Sequence, residues 1–193
     1  MRRVHTKRSI GLVAAALVAL VLGGGTGCAL WTPAKSSAIQ HPWLQLELMI
    51  PAGWMVATFS EGLFATYHGL ELESIHVRRW DRKVEVKGTS RNLEGELLPY
   101  EIAEISLDSR RLDEGVGGLE VLRNAPAEVD GRDCYEIDYR FRGETGLRIR
   151  TVEVGCAVDK WIYRFEYRAA EQHYFEAGRS GFEELVQSAR FKL

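Results

Sequence analysis

The chain has 193 residues, with 25 lysines and arginines against 27 acids and a formal net charge of −2. Residues 1–27 hold four of those bases (Arg2, Arg3, Lys7, Arg8) and no acid, so the remainder carries 21 bases against 27 acids, a net of about −6. A surface of that sign keeps a small domain soluble and excludes the basic stripe that nucleic-acid binding requires.

The first predicted element is an export signal. Residues 10–22 form an uninterrupted apolar run behind the basic start. Thirteen residues of helix span about 20 Å, short of the roughly 30 Å hydrocarbon core of a bilayer but suited to a signal-peptide core. Glycines 23–25 then break the helix and offer a protease an extended backbone. The tetrapeptide Gly25-Thr26-Gly27-Cys28 resembles the lipobox of bacterial lipoproteins, although Gly25 stands where a leucine-like residue is usual. The resemblance implies cleavage between Gly27 and Cys28, acylation of the Cys28 thiol, and a firm hold on the membrane by several acyl chains. Ala29 rather than aspartate after the cysteine implies, by the same resemblance, the outer membrane where an organism has one. The expected organisation is a signal peptide at 1–27, a lipidated N-terminus and tether at 28–42, and a single domain at 43–193.

Within that domain, strands are expected at residues 43–50 and 54–59, separated by Pro51-Ala52-Gly53. A hairpin at 63–68 and 72–80 turns around Gly69-Leu70-Glu71. Residues 81–95 read as a charged, mobile loop. Pro99 opens a helix over 99–111, with Ile102 and Ile105 at helical spacing and Glu101 and Glu104 near its positive end; glycines 115, 117 and 118 end it. A strand at 119–123 is interrupted by Asn124-Ala125-Pro126 and resumes at 127–129. After Asp130-Gly131, three strands alternate strictly: Tyr135, Ile137, Tyr139 and Phe141; then Val152, Val154, Cys156 and Val158; then Trp161, Tyr163, Phe165 and Tyr167. Such alternation predicts one buried and one wet face. Residues 169–190 predict a helix that turns Tyr174, Phe175, Phe182, Leu185 and Val186 to the sheet and is kinked or divided at Gly178 and Gly181.

Register bears on the cysteines. A four-residue turn at 143–146 sets Arg142 against Leu147, Tyr135 against Val154, Ile137 against Val152 and Cys134 against Gly155. The apolar sets then meet on one face, as register selection favours, while Cys134 and Cys156 point apart and cannot bond. A one-residue slip would oppose the cysteines but set Ile137 against Glu153. The expectation is therefore no disulfide, with Cys156 a small buried hydrophobe.

Catalytic constellations are scarce. His68 and His76 fall on neighbouring strands, but the hairpin sets His76 against Phe64. His173 and Glu176 stand one helical turn apart, a common surface contact. Ser180, in Gly178-Arg179-Ser180-Gly181, lacks the spacing of a nucleophile elbow, and Gly115-Val116-Gly117-Gly118 lacks the features of a phosphate loop. Glu136, Asp138 and Glu153 are expected on one polar face, where Arg140 and Arg164 would neutralise them or, less simply, a cation would. No metal or other cofactor is expected. The aromatic ladder of Tyr135, Tyr139, Phe141, Tyr163, Phe165 and Tyr167 reads as core under the last helix, with a ligand groove as the sharper alternative.

Three segments carry a further resemblance: Gly131-Arg132-Asp133-Cys134-Tyr135-Glu136-Ile137-Asp138-Tyr139, the closing Phe182-x-x-Leu185-Val186-x-Ser188-x-Arg190-Phe191, and the opening Ile50-Pro51-Ala52-Gly53-Trp54. Together with the strands down to Tyr167 they resemble PsbP/Mog1-type domains, and uncharacterised bacterial lipoproteins of the same plan, over about 150 residues. The resemblance implies an α+β fold, a central antiparallel β-sheet flanked by helices, and mostly non-catalytic accessory roles. The resulting expectation is an envelope lipoprotein, held to the membrane by its lipid, with an accessory or partner-binding domain. The alternatives are a carrier of an apolar ligand, or a metal-dependent hydrolase using the acids with His68 or His76.

Overall fold

A computed structural model describes residues 30–193 apart from 36, 37, 61, 114 and 115; residues 31–193 form one unit. The elements in chain order are β1 (Thr32–Pro33), β2 (Ile39–His41), β3 (Leu46–Leu48), β4 (Met55–Phe59), β5 (Gly62–Thr66), β6 (Glu73–Asp81), α1 (Pro99–Arg111), β7 (Gly117–Val129), β8 (Arg132–Arg142), β9 (Arg148–Val158), β10 (Trp161–Ala170), α2 (Tyr174–Ser188) and β11 (Arg190–Phe191). Eight strands make one antiparallel sheet in the order β1-β4-β5-β6-β10-β9-β8-β7, and β11, β3 and β2 make a small second sheet. The expected α+β class, a central antiparallel sheet flanked by helices, is what the chain adopts.

Both faces of the large sheet are covered, which corrects the expectation of a wet face. On one side Val152, Val154, Cys156, Tyr163, Phe165 and Tyr167 meet Phe175, Phe182 and Leu185 of α2 and Leu44, Leu46 and Leu48 around the small sheet. On the other, Tyr135, Ile137, Tyr139, Phe141, Ile149 and Ile162 meet Ile102, Ala103, Ile105 and Leu107 of α1. The aromatic ladder is thus core, but it is divided between the two helices. Pro99 stands at the first position of α1, and Glu101 Oε2 accepts the Leu98 N–H at 2.8 Å, which satisfies one of the donors a helix start leaves unpaired. α2 runs unbroken through Gly178 and Gly181. Gly178 is there for closeness rather than for a kink: a Cβ would lie 2.4 Å from the Tyr167 hydroxyl.

The β8–β9 register is the slipped one. Arg142 pairs with Arg148 across a loop closed by Gly143 N–H to Leu147 O at 2.9 Å, and Cys134 pairs with Cys156. The two cysteines form a disulfide, with Cα atoms 4.5 Å apart. The expectation of two unbonded thiols was wrong because it matched apolar residues as though only one face were buried. With both faces buried, either register buries apolar side chains, and other contacts decide. Tyr135 pairs with Gly155 and lays its ring where a Cβ would sit at 2.3 Å. Glu153, opposite Ile137 after all, is fully buried and hydrogen-bonded.

Part of the expected tether is built into the unit. Thr32–Pro33 pairs with β4, and Ile39–His41 pairs with β3. His41 is buried; its Nδ1 accepts the Leu44 N–H at 3.2 Å and its Nε2 donates to Phe59 O at 3.1 Å.

Candidate functional site: a tryptophan–arginine groove at the end of β6

β6 is longer than the strand that covers it. β10 pairs with β6 from Glu73 to Asp81, whereas the described residues of β5 reach only Arg78. Arg82 N–H donates to Lys160 O at 2.9 Å, so even-numbered residues direct their backbone groups to β10 and odd-numbered ones direct theirs away. Asp81 therefore directs its backbone groups to the β5 side, beyond the last described β5 pairing at Arg78, and its carbonyl accepts from Val84 N–H at 3.0 Å. A groove of about 430 Å³ lies there, lined by Trp43, Trp80, Trp161, Arg78, Arg79 and Arg164, with Val84, Val86 and Ser109 on its far wall.

Each arginine is placed by aromatic rings. The Arg79 guanidinium lies 4.1 Å from the Trp161 ring and 5.0 Å from the Trp43 ring, a cation–π arrangement. Its Nη1 donates to Gln45 Oε1 at 2.7 Å and to the Tyr163 hydroxyl at 3.3 Å. Gln45 takes a positive φ of 50° to present that oxygen, backbone strain of the kind held at sites by its surroundings. On the other face of the strand, Arg78 and Arg164 each lie 5.3 Å from the Trp80 ring. Arg79 and Arg164 are only 8% and 7% exposed, and the Nε of neither has a hydrogen-bond partner among the described residues, although Arg164 Nε stands 3.7 Å from Glu166 Oε2. The lip of the groove, expected as a mobile loop, is pinned. Arg82 Nε donates to Leu93 O at 2.8 Å, Arg82 also donates to Gly95 O, and Ser109 of α1 donates to Lys87 O at 2.7 Å.

Behind the groove, under α1, lies a buried polar network. Glu153 accepts from Ser106 Oγ at 2.6 Å, from the Tyr135 hydroxyl at 2.7 Å and from Arg110 Nη2 at 3.2 Å. Arg110 also pairs with Glu166, and Arg164 stands 3.7 Å from each of the two carboxylates. Burial opposes the charge on Arg110, but Glu166 and Glu153 outweigh it and hold the guanidinium firmly protonated. Burial likewise works against the Glu166 carboxylate, but Arg110 and Arg78 prevail and keep its pKa below the ordinary value. Burial pulls Arg78 down and pushes the Tyr135 phenol well up. His76 is pushed down to about 4, first by burial, with Arg78 and Arg110 adding to the effect and Glu166 opposing it.

The residues singled out in the sequence do not gather here. Gly27 and Cys28 lie outside the described residues. His68 Nδ1 is 2.7 Å from Glu73 Oε1, while the His76 ring stacks on Phe64 at 3.9 Å; the two histidines are not brought together. Glu176 faces Arg150 rather than His173. The three acids are divided. Glu136 pairs with Arg123, Asp138 takes two hydrogen bonds from Arg150 on the α2 side, and Glu153 lies under α1. Among the described residues no group of three or more His, Cys, Asp or Glu is placed to hold a metal. The groove residues were missed as a set. The sequence signal was Arg78-Arg79-Trp80-Asp81 at a strand end; Trp43 and Trp161 join it only through the strand pairing and the turn before β3.

No protein-family model matches the chain, and no curated protein does. Solved structures do. The chain is similar to the cyanobacterial PsbP (CyanoP) of Synechocystis sp. PCC 6803, with a TM-score of 0.57 at 14% identity over 87% of this chain and 96% of that one. It is similar to LpqN of Mycobacterium tuberculosis, described as involved in cell envelope biogenesis, with a TM-score of 0.54 at 9% identity over 82% and 88%. It is similar to the Ran-binding protein Mog1p of Saccharomyces cerevisiae, with a TM-score of 0.51 at 8% identity over 82% and 96%. At these identities the likeness is one of fold, and the fold is PsbP/Mog1-like.

Proposed function

We propose that the protein is a lipid-anchored lipoprotein of the cell envelope whose domain acts by binding a partner at the β6 groove, without catalysis. The groove carries the binding half of this reading. It combines three tryptophans with arginines whose Nε donors have no hydrogen-bond partner among the described residues, which are features of recognition surfaces. The signal, the Cys28 lipobox and the Cys134–Cys156 disulfide support the location, since disulfides persist in oxidising compartments. A fold neighbour linked to envelope biogenesis and another that binds Ran show that this architecture serves such roles elsewhere. Where the organism has an outer membrane, Ala29 after the cysteine favours it as the location.

The apolar-carrier alternative placed its cavity between the sheet and the last helix. That space is filled: Tyr167 stacks on Phe182 at 5.8 Å and meets the tilted ring of Phe175 at 5.5 Å, and both phenylalanines are buried. The hydrolase alternative needs His68 or His76 beside the acids, and each is engaged elsewhere.

The test has two parts. Metabolic labelling with a fatty acid should mark the wild type and not Cys28→Ser, and a pull-down from envelope extracts should return a partner that a lipobox-only control does not. Unlabelled wild-type protein sinks the anchor, and an empty pull-down weighs against the binding role.

A further inference from the structure

We infer that the end of the large sheet carrying Trp43, Phe59 and Val84 lies against the lipid surface. The domain then rests on the bilayer to which Cys28 holds it, rather than standing off on a tether. This rests on the lipid-anchor half of the proposed function, and it brings the mouth of the groove to the membrane surface.

Cys28 lies three residues before Trp31, at most about 11 Å of extended chain. Trp31 leads straight into β1, which is fixed by its pairing with β4: Thr32 stands against Val56 and Pro33 against Met55. Because β1 is antiparallel to β4, the chain enters β1 from the end at which β4 leaves, at Phe59. Other strands meet at that end. β5 begins there at Gly62, which pairs with Phe59 and with Arg78. β6 leaves there at Asp81, and β10 begins there at Trp161, its partner. A flexible linker needs many residues to lift a domain clear of its anchor. Here the fixed sheet starts almost at the lipid, so this end stays within reach of the bilayer.

The side chains at this end suit a membrane interface. Trp43 is 40% exposed, Phe59 39% and Val84 53%. They are neighbours. His41, two residues before Trp43, holds Phe59 O at 3.1 Å; the Trp43 ring stands 6.5 Å from Trp161; and Val84 lines the groove with both tryptophans. Tryptophan favours the boundary between headgroups and acyl chains, where its ring is in apolar surroundings and its N–H is wet. Exposed Lys83, Lys87 and Lys160 stand around them, on stems long enough to carry their charge into the headgroup layer. Charge also orients the domain. Residues 78–87 hold five bases against two acids, and the joins at 59–62 and 158–161 bring the count to six against four. The chain beyond residue 27 has 21 bases against 27 acids. An anionic bilayer therefore attracts this end and repels the surface as a whole. The short link keeps the contact at a high effective concentration, so a modest apolar patch suffices as the second hold beside the lipid.

The test uses the purified full chain, with its lipid, in vesicles of phosphatidylethanolamine and phosphatidylglycerol that carry a nitroxide on some headgroups. Flotation reads attachment, and quenching of tryptophan emission by the nitroxide reads orientation. The wild type should float and be quenched. Trp43→Phe should lose much of that quenching. Val84→Asp, which keeps every tryptophan, should float as well but be quenched less, with an unchanged melting temperature. Leu70→Asp is the matched control: Leu70 is 50% exposed, in the join between β5 and β6 at the far end of the sheet. It should be quenched as the wild type is. A wild type that floats unquenched, or a Leu70→Asp that loses as much quenching as Val84→Asp, overturns this orientation and leaves the anchor standing. A wild type that does not float removes the anchor, and the orientation with it.

Discussion

The two faces of the large sheet are built on different principles. Against α2 the packing is mainly apolar and aromatic, with Glu73 and Asp138 as its buried acids: Tyr163, Phe165, Tyr167, Phe175, Phe182 and Leu185 are all at most 2% exposed. Against α1 the same sheet buries Glu153, Glu166, Arg110, Arg164 and most of Arg78 among its isoleucines and tyrosines. An apolar face needs no specific partner and serves as scaffold. A charged interior is stable only while every member keeps its partner, and here the network opens onto the groove through Arg78 and Arg164. The comparison assigns most of the stability to the packing under α2 and recognition to the end of β6, where Arg79 and Trp161 from one face meet Arg78 and Trp80 from the other.

The largest test strikes the scaffold. Phe175→Ala removes a fully buried ring from under α2 and should cost about 4 kcal/mol in denaturant unfolding. The groove should survive where the variant remains folded, as read by tryptophan emission. The disulfide belongs to the same face. Replacing Cys134 and Cys156 by alanine opens a link between residues 22 apart and should cost about 3 kcal/mol. A double variant as stable as the wild type would mean that the bond is not formed in the isolated protein, and the support it gives to an oxidising compartment would go with it.

How far the sequence could be read follows the same division. Where a residue's own chemistry dictates local structure, the sequence is legible: Pro99 with Glu101 marks the start of α1, Asp130-Gly131 marks a turn, and the hairpin around Gly69 sets His76 opposite Phe64. Where two elements compete for one residue, it failed. β10 runs to Ala170 and α2 starts only at Tyr174, although the helical pattern extends back to residue 169. β7 is continuous through Pro126 because it is the outer strand, where a missing N–H can face solvent, and its irregularities are absorbed by register shifts near Gly117 and Val121. The β8–β9 slip went unread because a sheet buried on both sides offers no polar face to fix the register. The groove is the least legible feature. Trp161 meets the end of β6 through its pairing with Asp81, and Trp43 arrives from a turn stiffened by the positive φ of Gln45.

A smaller test is aimed at the charged face. Glu153→Gln keeps the shape but removes one of two carboxylates facing three guanidiniums, and should cost about 2 kcal/mol. It should also shift tryptophan emission, because Arg164 then has only Glu166 to hold it beside Trp80. An unchanged spectrum with full stability would show that the network is not what positions the groove.

The smallest effect is a slope rather than a step. His76 lies between Phe64 and the charged network, facing Glu166, Arg78 and Arg110, and its pKa is pushed from 6.5 to about 4 in the folded state. The folded protein therefore holds His76 neutral where the unfolded chain protonates it. Its contribution is fully present above pH 6.5 and is lost as the pH falls from there towards 4. On going from pH 7 to pH 5 this group alone should lower unfolding free energy by about 1–2 kcal/mol. His76→Gln should flatten that part of the profile while leaving the acid limb below pH 4.5, where the depressed Glu166 carboxylate begins to take up protons in the unfolded chain first. If wild type and His76→Gln titrate in parallel between pH 7 and pH 5, the imidazole is not held neutral, and the α1 face is wetter than its packing implies.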